Sequence, residues 1–119
     1  MNKTKLVELG NLYFHCFENK DLSTLEKLFS DEIILFDPII KKVEGIKNVL
    51  KANLDIFNSA NKIVVNIKKM FADVNSDTII AELEIHFDNN IVNVVDIIEI
   101  DIYGKIKSVT AYLDSRQIL

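Results

Sequence analysis

The stretch IVNVVDIIEIDIYGKIKSVTAYLD, from Ile91 to Asp114, decides the fold. Over 91–102 the residues alternate. Val92, Val94, Asp96, Ile98, Ile100 and Ile102 fall on one face of a strand, and Asn93, Glu99 and Asp101 fall on the other. Tyr103-Gly104-Lys105 is a turn sequence, and a further strand is expected over 106–113. The same period of two runs backward through expected strands at 62–73 and 78–87, separated by the turn-prone Asn75-Ser76-Asp77 and Asp88-Asn89-Asn90. Long consecutive strands with tight turns make an antiparallel meander, because parallel neighbours need a long crossover.

Upstream of Lys62 the period changes to 3.6. Leu6, Leu9, Tyr13, Cys16 and Phe17 share one stripe of a helix expected from about Thr4 to Asn19. Ser23-x-x-Glu26 has the form of a capping box and opens a short second helix through Leu25, Leu28 and Phe29. Ile33-Ile34-Leu35-Phe36 reads as a short buried strand ending at Asp37-Pro38. Gly45 precedes a third helix, about Ile46 to Phe57, with Ile46, Val49, Leu50, Leu54 and Phe57 turned inward. Helices gathered ahead of a strand meander predict an α+β fold, with three helices lying across a curved, mostly antiparallel sheet. The result is a half-open cone with an apolar interior, suited to a small hydrophobic ligand.

Composition sets limits on function. The 119 residues are 49% apolar with three Gly and one Pro, which suits a single domain over 1–119 and excludes a disordered chain. Fourteen Lys plus Arg against eighteen Asp plus Glu leave a charge of −4. With Arg116 the only arginine, no nucleic-acid surface is expected. Charge interrupts every apolar run well short of the ~18 residues of a membrane helix, so no membrane partner is expected and the chain reads as cytoplasmic. A lone Cys16 excludes an intramolecular disulfide and a cysteine metal cluster. No metal-ligand spacing or phosphate-cradling glycine loop occurs, so neither metal nor cofactor is expected.

Three residues break the pattern. Asp96 stands in the middle of an otherwise apolar strand face, where an unpaired carboxylate costs several kcal/mol or more. Its pKa is therefore expected to be raised, leaving a neutral carboxyl that donates a hydrogen bond. Otherwise it is a structural carboxyl, satisfied by a hydroxyl or water or turned outward by a bulge. Asp37 ends an apolar strand before Pro38, and is either a general base at a pocket mouth or a turn former. Tyr13 lies in the apolar helix stripe, and its hydroxyl needs a partner there, as a core tyrosine or as a site donor. His15 and His86 read as solvated residues, and Cys16 as a small core hydrophobe.

The chain as a whole resembles the nuclear transport factor 2-like superfamily, which includes ketosteroid isomerases and SnoaL-like polyketide cyclases. The carrying residues are YFHCFENKDLSTLEKLFSDEIILFDP from Tyr13 to Pro38, then Glu44-Gly45-Ile46, then DIIEIDIYGKIKSVTAYLD from Asp96 to Asp114. The resemblance implies a cystatin-like cone. Its match to ketosteroid isomerase implies an oxyanion-binding tyrosine at Tyr13 and a general base at Asp37. It also implies a protonated oxyanion-hole aspartate at Asp96, a neutral acid in an apolar site being that enzyme's device. The chain departs from that enzyme at Asn53, where the family carries a supporting tyrosine, at Phe29, an aromatic residue that cannot donate, and in a shorter loop between Asp37 and Gly45. The expected activity is a cofactor-independent double-bond shift by proton abstraction α to a carbonyl. The alternatives are a SnoaL-like cyclase and a non-catalytic small-molecule-binding or dimerisation module. A homodimer is expected, from apolar residues assigned to the outside of the sheet (Ile91, Val95 and Ile97; Val109, Ala111 and Leu113).

Overall fold

The computed structural model describes residues 1–118; Leu119, which closes the expected 1–119 span, lies outside the described residues. Asn2 starts the first helix by accepting the Lys5 N–H on its Oδ1 at 2.8 Å, and α1 runs Lys3–Glu18. Helix α2, Leu22–Leu28, begins earlier than the Ser23 capping box predicts. Asp21 is the cap. The Thr24 N–H and Ser23 hydroxyl donate to its Oδ1, both at 3.1 Å, and the Thr24 hydroxyl donates to Oδ2 at 2.7 Å. A carboxylate accepts on two oxygens where a hydroxyl offers one, so Ser23 becomes a donor to the cap.

Phe29 leaves the helix and begins β1, Phe29–Asp37, which is longer than the four-residue strand expected. A short strand that the sequence did not announce, β2 (Lys41–Glu44), folds back on β1. Helix α3, Ile46–Asn58, is entered through Gly45 at φ +87°, ψ 148°, a conformation essentially confined to glycine. Its buried stripe is Val49, Asn53 and Phe57, while Leu54, expected inward, is 41% exposed. Positions 49, 53 and 57 repeat every four residues, and Leu54 lies about 100° around the helix from Asn53.

Strands β3 (Ile63–Asp73), β4 (Thr78–Phe87), β5 (Asn90–Ile100) and β6 (Ile106–Tyr112) form the expected meander. The six strands make one sheet in the order β2-β1-β6-β5-β4-β3, in which only the β1–β6 pairing is parallel. Three helices on one face of a mostly antiparallel sheet give the α+β architecture expected, with a Cα radius of gyration of 13.3 Å. At Gly10 helix α1 packs tightly on the sheet, where an added Cβ would lie 3.0 Å from Met70 Sδ and 3.2 Å from Ile79 Cγ2.

The face assignment of β5 holds and that of β6 does not. Val92, Val94, Asp96, Ile98 and Ile100 are all buried, whereas Ile102 stands in the turn beyond the strand, 89% exposed. Val109 pairs with Ile98 and Ala111 with Asp96, and directly opposed residues share a face. Val109, Ala111 and Leu113 therefore line the inside of the cone rather than its outside. The parity is lost at the register shift between Glu99 and Ile100, which alternation in sequence does not reveal. Beyond the end of β6, Gln117 covers the open edge of β5, its Oε1 accepting from Asn93 N at 2.9 Å and its Nε2 donating to Asn93 O at 3.0 Å.

Candidate active site

The cone encloses a cavity of about 670 Å³ between the helices and the inner face of the sheet. Tyr13, Asp37 and Asp96 all line it, among Leu35, Ile56 and Val94. Each reaches it from a different element. Tyr13 projects from the apolar stripe of α1, its ring edge-on to Phe14 at 5.2 Å between centroids and tilted against Phe29 at 6.3 Å. Phe29 thus packs against the tyrosine ring and leaves its hydroxyl free. Burial, and secondarily the charge of Asp96, holds the Tyr13 hydroxyl well above its ordinary pKa, so it stays a donor.

Asp96 is 7% exposed and takes no hydrogen bond from the described residues. Its cross-strand neighbours are both alanines, Ala81 on β4 and Ala111 on β6, and these short side chains leave room over the carboxyl. Asp37 stands in the same row. One residue beyond the Phe36–Thr110 pair, it comes level with Ala111, so the two aspartates flank β6 from opposite sides. Two strand spacings put their backbones roughly 10 Å apart. Burial first, and the Asp37 charge second, push the Asp96 carboxyl up from 3.8 to about 7. The raised pKa expected from the sequence has the desolvation cause expected, with like-charge repulsion added.

Asp37 takes the turn-forming role considered for it, and it also lines the cavity. Its Oδ1 accepts the Ile39 and Ile40 N–H groups, each at 2.7 Å, which builds the turn into β2. Lys41 closes that turn in the left-handed region at φ +64°. Oδ2 carries no such bond, and the residue lies at the cavity wall.

No family model matches the sequence, and no curated protein matches it. Solved structures do match. A nuclear transport factor 2-like protein of unknown function from Cytophaga hutchinsonii superposes with a TM-score of 0.78 at 16% identity, over 93% of this chain and 91% of the other. The chain has the nuclear transport factor 2-like fold. Two further matches share this fold. The epoxide hydrolase/cyclase-like enzyme SalBIII of salinomycin pyran-ring formation gives 0.85 at 18% identity, over 98% and 95% of the two chains. A ketosteroid isomerase-like protein from Kribbella flavida gives 0.80 at 13% identity, over 93% and 78%. At these identities the likeness establishes the nuclear transport factor 2-like fold and no particular activity.

Within this fold the remaining titratable candidates fall away from the cavity. His15 is exposed near Asn19, and His86 Nε2 lies 2.7 Å from Glu84 Oε1 on the other face of β4. Cys16 is a core residue whose thiol is pushed up by burial. No group of three metal-binding side chains and no membrane-length apolar helix occurs among the described residues. Asn53 was legible only as a departure from the isomerase pattern, but the structure makes it a buried polar residue of the cavity wall. The available signal was its spacing of four from both Val49 and Phe57.

Proposed function

We propose that the protein is a cofactor-independent isomerase that shifts a double bond in a small hydrophobic ketone. Asp37 takes a proton from the carbon α to the carbonyl, and the C–H electron pair moves into the conjugated system. Negative charge collects on the carbonyl oxygen, where the Tyr13 hydroxyl and the protonated Asp96 carboxyl donate to it. The Asp37 acid then returns the same proton to the far carbon of the conjugated system, so substrate and product have the same atoms. The observation that carries this reading is a pair of carboxyls flanking β6 in one apolar cavity, the deeper one at about 7. A carboxyl at that value is half protonated at neutrality and serves as an oxyanion donor while its neighbour serves as base. Ring closure is the second reading. Similarity to the cyclase-like SalBIII supports it, with Asp37 or Asp96 as the acid/base group.

The test uses a β,γ-unsaturated cyclic ketone in D2O, following conjugated-enone absorbance and deuterium uptake. The wild type is expected to turn over, at a rate that falls above about pH 7 as Asp96 loses its proton. Tyr13→Phe is expected to lose about 10²- to 10³-fold in kcat. A wild type that binds phenols but neither exchanges nor isomerises any such ketone would leave a binding module, not an enzyme.

The proposal extends to a homodimer. Across the outer face, the register places Phe71, Ile80, Ile97, Thr110 and Phe36 in one row over five strands. Phe71 is 58%, Phe36 43% and Ile80 36% exposed, an apolar band wide enough for a second copy of the sheet. Sedimentation equilibrium is expected to give a dimer at micromolar concentration and a monomer for Ile80→Lys. A monomeric wild type there would remove the dimer from the proposal.

A further inference from the structure

The inner face of β5 gives the cavity its length. Asn90, Val92, Val94 and Asp96 line it in succession, whereas Ile98, next on that face, is fully buried beside an equally buried Ile79. Asp96 therefore stands near a sealed end, and Asn90 lies toward the other, roughly 20 Å away along the strand. Beyond the Val95–Tyr112 pair, the last between β5 and β6, β5 runs on with β4 alone beside it. Residues 113–118 cross that uncovered stretch. Asp114 accepts the Arg116 N–H at 3.0 Å and starts a single turn, Ser115–Gln117. Gln117 then stands in for a strand residue, its side-chain amide making both bonds to the Asn93 backbone. Asn90 Nδ2 donates to Gln117 O at 3.2 Å, which puts Ile118 at the Asn90 end. Leu113 and Ile118, on either side of the turn, both line the cavity. Ile118 is 38% exposed, an apolar face that a ligand filling this end would cover. Among the described residues, every hydrogen bond between 115–118 and β5 uses a side chain, so the segment can leave β5 without breaking the strand ladder.

We infer that residues 113–118 form a strap that leaves β5 to admit a ligand and closes over its far end, with Gln117 as the latch and Ile118 as the contact. The ligand is then an elongated apolar compound, with its oxygen at Tyr13 and Asp96 and an apolar tail that reaches Asn90. This assignment rests on the reading of Tyr13 and Asp96 as the oxygen-binding end. A compound too short to reach Asn90 gains nothing from the strap, which is how the strap selects for length.

Two phenols test it, 2-naphthol and 6-hexyl-2-naphthol, the second carrying a tail opposite its hydroxyl. Arg116 is the only arginine, so an arginine-specific protease cuts the chain once, inside the strap. Such cleavage follows the population of the open form. Ligand-free wild type is expected to be cut, and Gln117→Ala about tenfold faster, each relative to a peptide of residues 110–118 with the same sequence. At saturation the hexyl compound is expected to slow cleavage of wild type about tenfold or more, and 2-naphthol less than about twofold. In calorimetry, Ile118→Ser is expected to lower the affinity ratio of the hexyl compound to 2-naphthol about tenfold, the equivalent of one apolar side-chain contact. Its affinity for 2-naphthol itself should stay within about threefold of wild type. Three results would each overturn the strap and leave the Tyr13–Asp96 reading standing: a ligand-free wild type that resists the protease, a cleavage rate that the bound hexyl compound leaves unchanged, or an unchanged ratio in Ile118→Ser. Failure of both phenols to bind wild type overturns both.

Discussion

Asp37→Asn is expected to abolish proton abstraction while the protein stays folded. The amide oxygen can still accept the Ile39 and Ile40 N–H groups that shape the turn, so the melting temperature should stay within a few degrees of wild type. The amide cannot take up a proton, and loss of a positioned base costs about 10² to 10⁴ in rate. Binding of 2-naphthol should survive, since Tyr13 and Asp96 are untouched. A separate signature is available at Asp96. Removing the Asp37 charge removes one of the two causes of its raised pKa, so its carboxyl resonance should titrate below about 7, with burial still holding it above 3.8. Isomerisation by Asp37→Asn at the wild-type rate would show that the base lies elsewhere. Asp37→Leu differs again: it loses the base and the turn together, and the two unpaired N–H groups should cost about 1–3 kcal/mol of stability.

The second large effect concerns stability against pH. Asp96 goes from 3.8 in an exposed chain to about 7 in the fold, so between these values the folded state binds a proton that the unfolded state has released. The contribution of Asp96 is therefore fully present below about pH 4, declines as pH rises, and is gone above about pH 7 to 8. At 1.36 kcal/mol per unit, the swing is on the order of 4 kcal/mol. Asp21, Asp88 and Asp114 have lowered pKa values and act in the opposite sense, losing their contribution in acid. Comparison with Asp96→Leu isolates the one group. Urea melts should make the leucine variant progressively more stable relative to wild type from about pH 4.5 to 8.5. A difference that stays flat across that range would mean that Asp96 does not titrate there. Asp96→Leu should also lose oxyanion stabilisation, whereas Asp96→Asn retains an N–H donor and part of the activity.

The most informative residue in the sequence was the one that violated its surroundings. Asp96 is the one polar residue on an otherwise apolar strand face, and the period of two fixes that face independently of what lies across the sheet. What alternation does not carry is parity through an irregularity. The shift between Glu99 and Ile100 turned Val109, Ala111 and Leu113 inward and removed them from the outer face. β2 escaped for a different reason. Lys41-Lys42-Val43-Glu44 is short, polar and on a sheet edge, so it has no buried face to produce a pattern. Asn53 escaped because a polar residue on a helix stripe is ordinarily read as the edge of the stripe, and Leu54 beside it offered a more hydrophobic choice. The partner of β1 was beyond reach altogether. Periodicity gives the faces of a strand, and the row that brings Asp37 level with Asp96 exists only through pairing.

That pairing governs when the site comes into being. β1 and β6 join residues 29–36 to residues 106–110, the longest-range contact between strands in the sheet, and Asp37 and Asp96 flank the strand that makes it. During synthesis, α1, α2, the β1–β2 hairpin, α3 and the β3–β4–β5 meander are all complete before β6 emerges. Until then the two halves of the sheet share no strand, and closing a loop of that length is slow. A nascent or proteolytically clipped chain lacking β6 would carry Tyr13, Asp37 and Asp96 yet possess no cavity, and its open β1 and β5 edges would be free to pair with other chains. The cavity and protection from aggregation thus arrive in the same late step, the insertion of seven residues into the middle of the sheet.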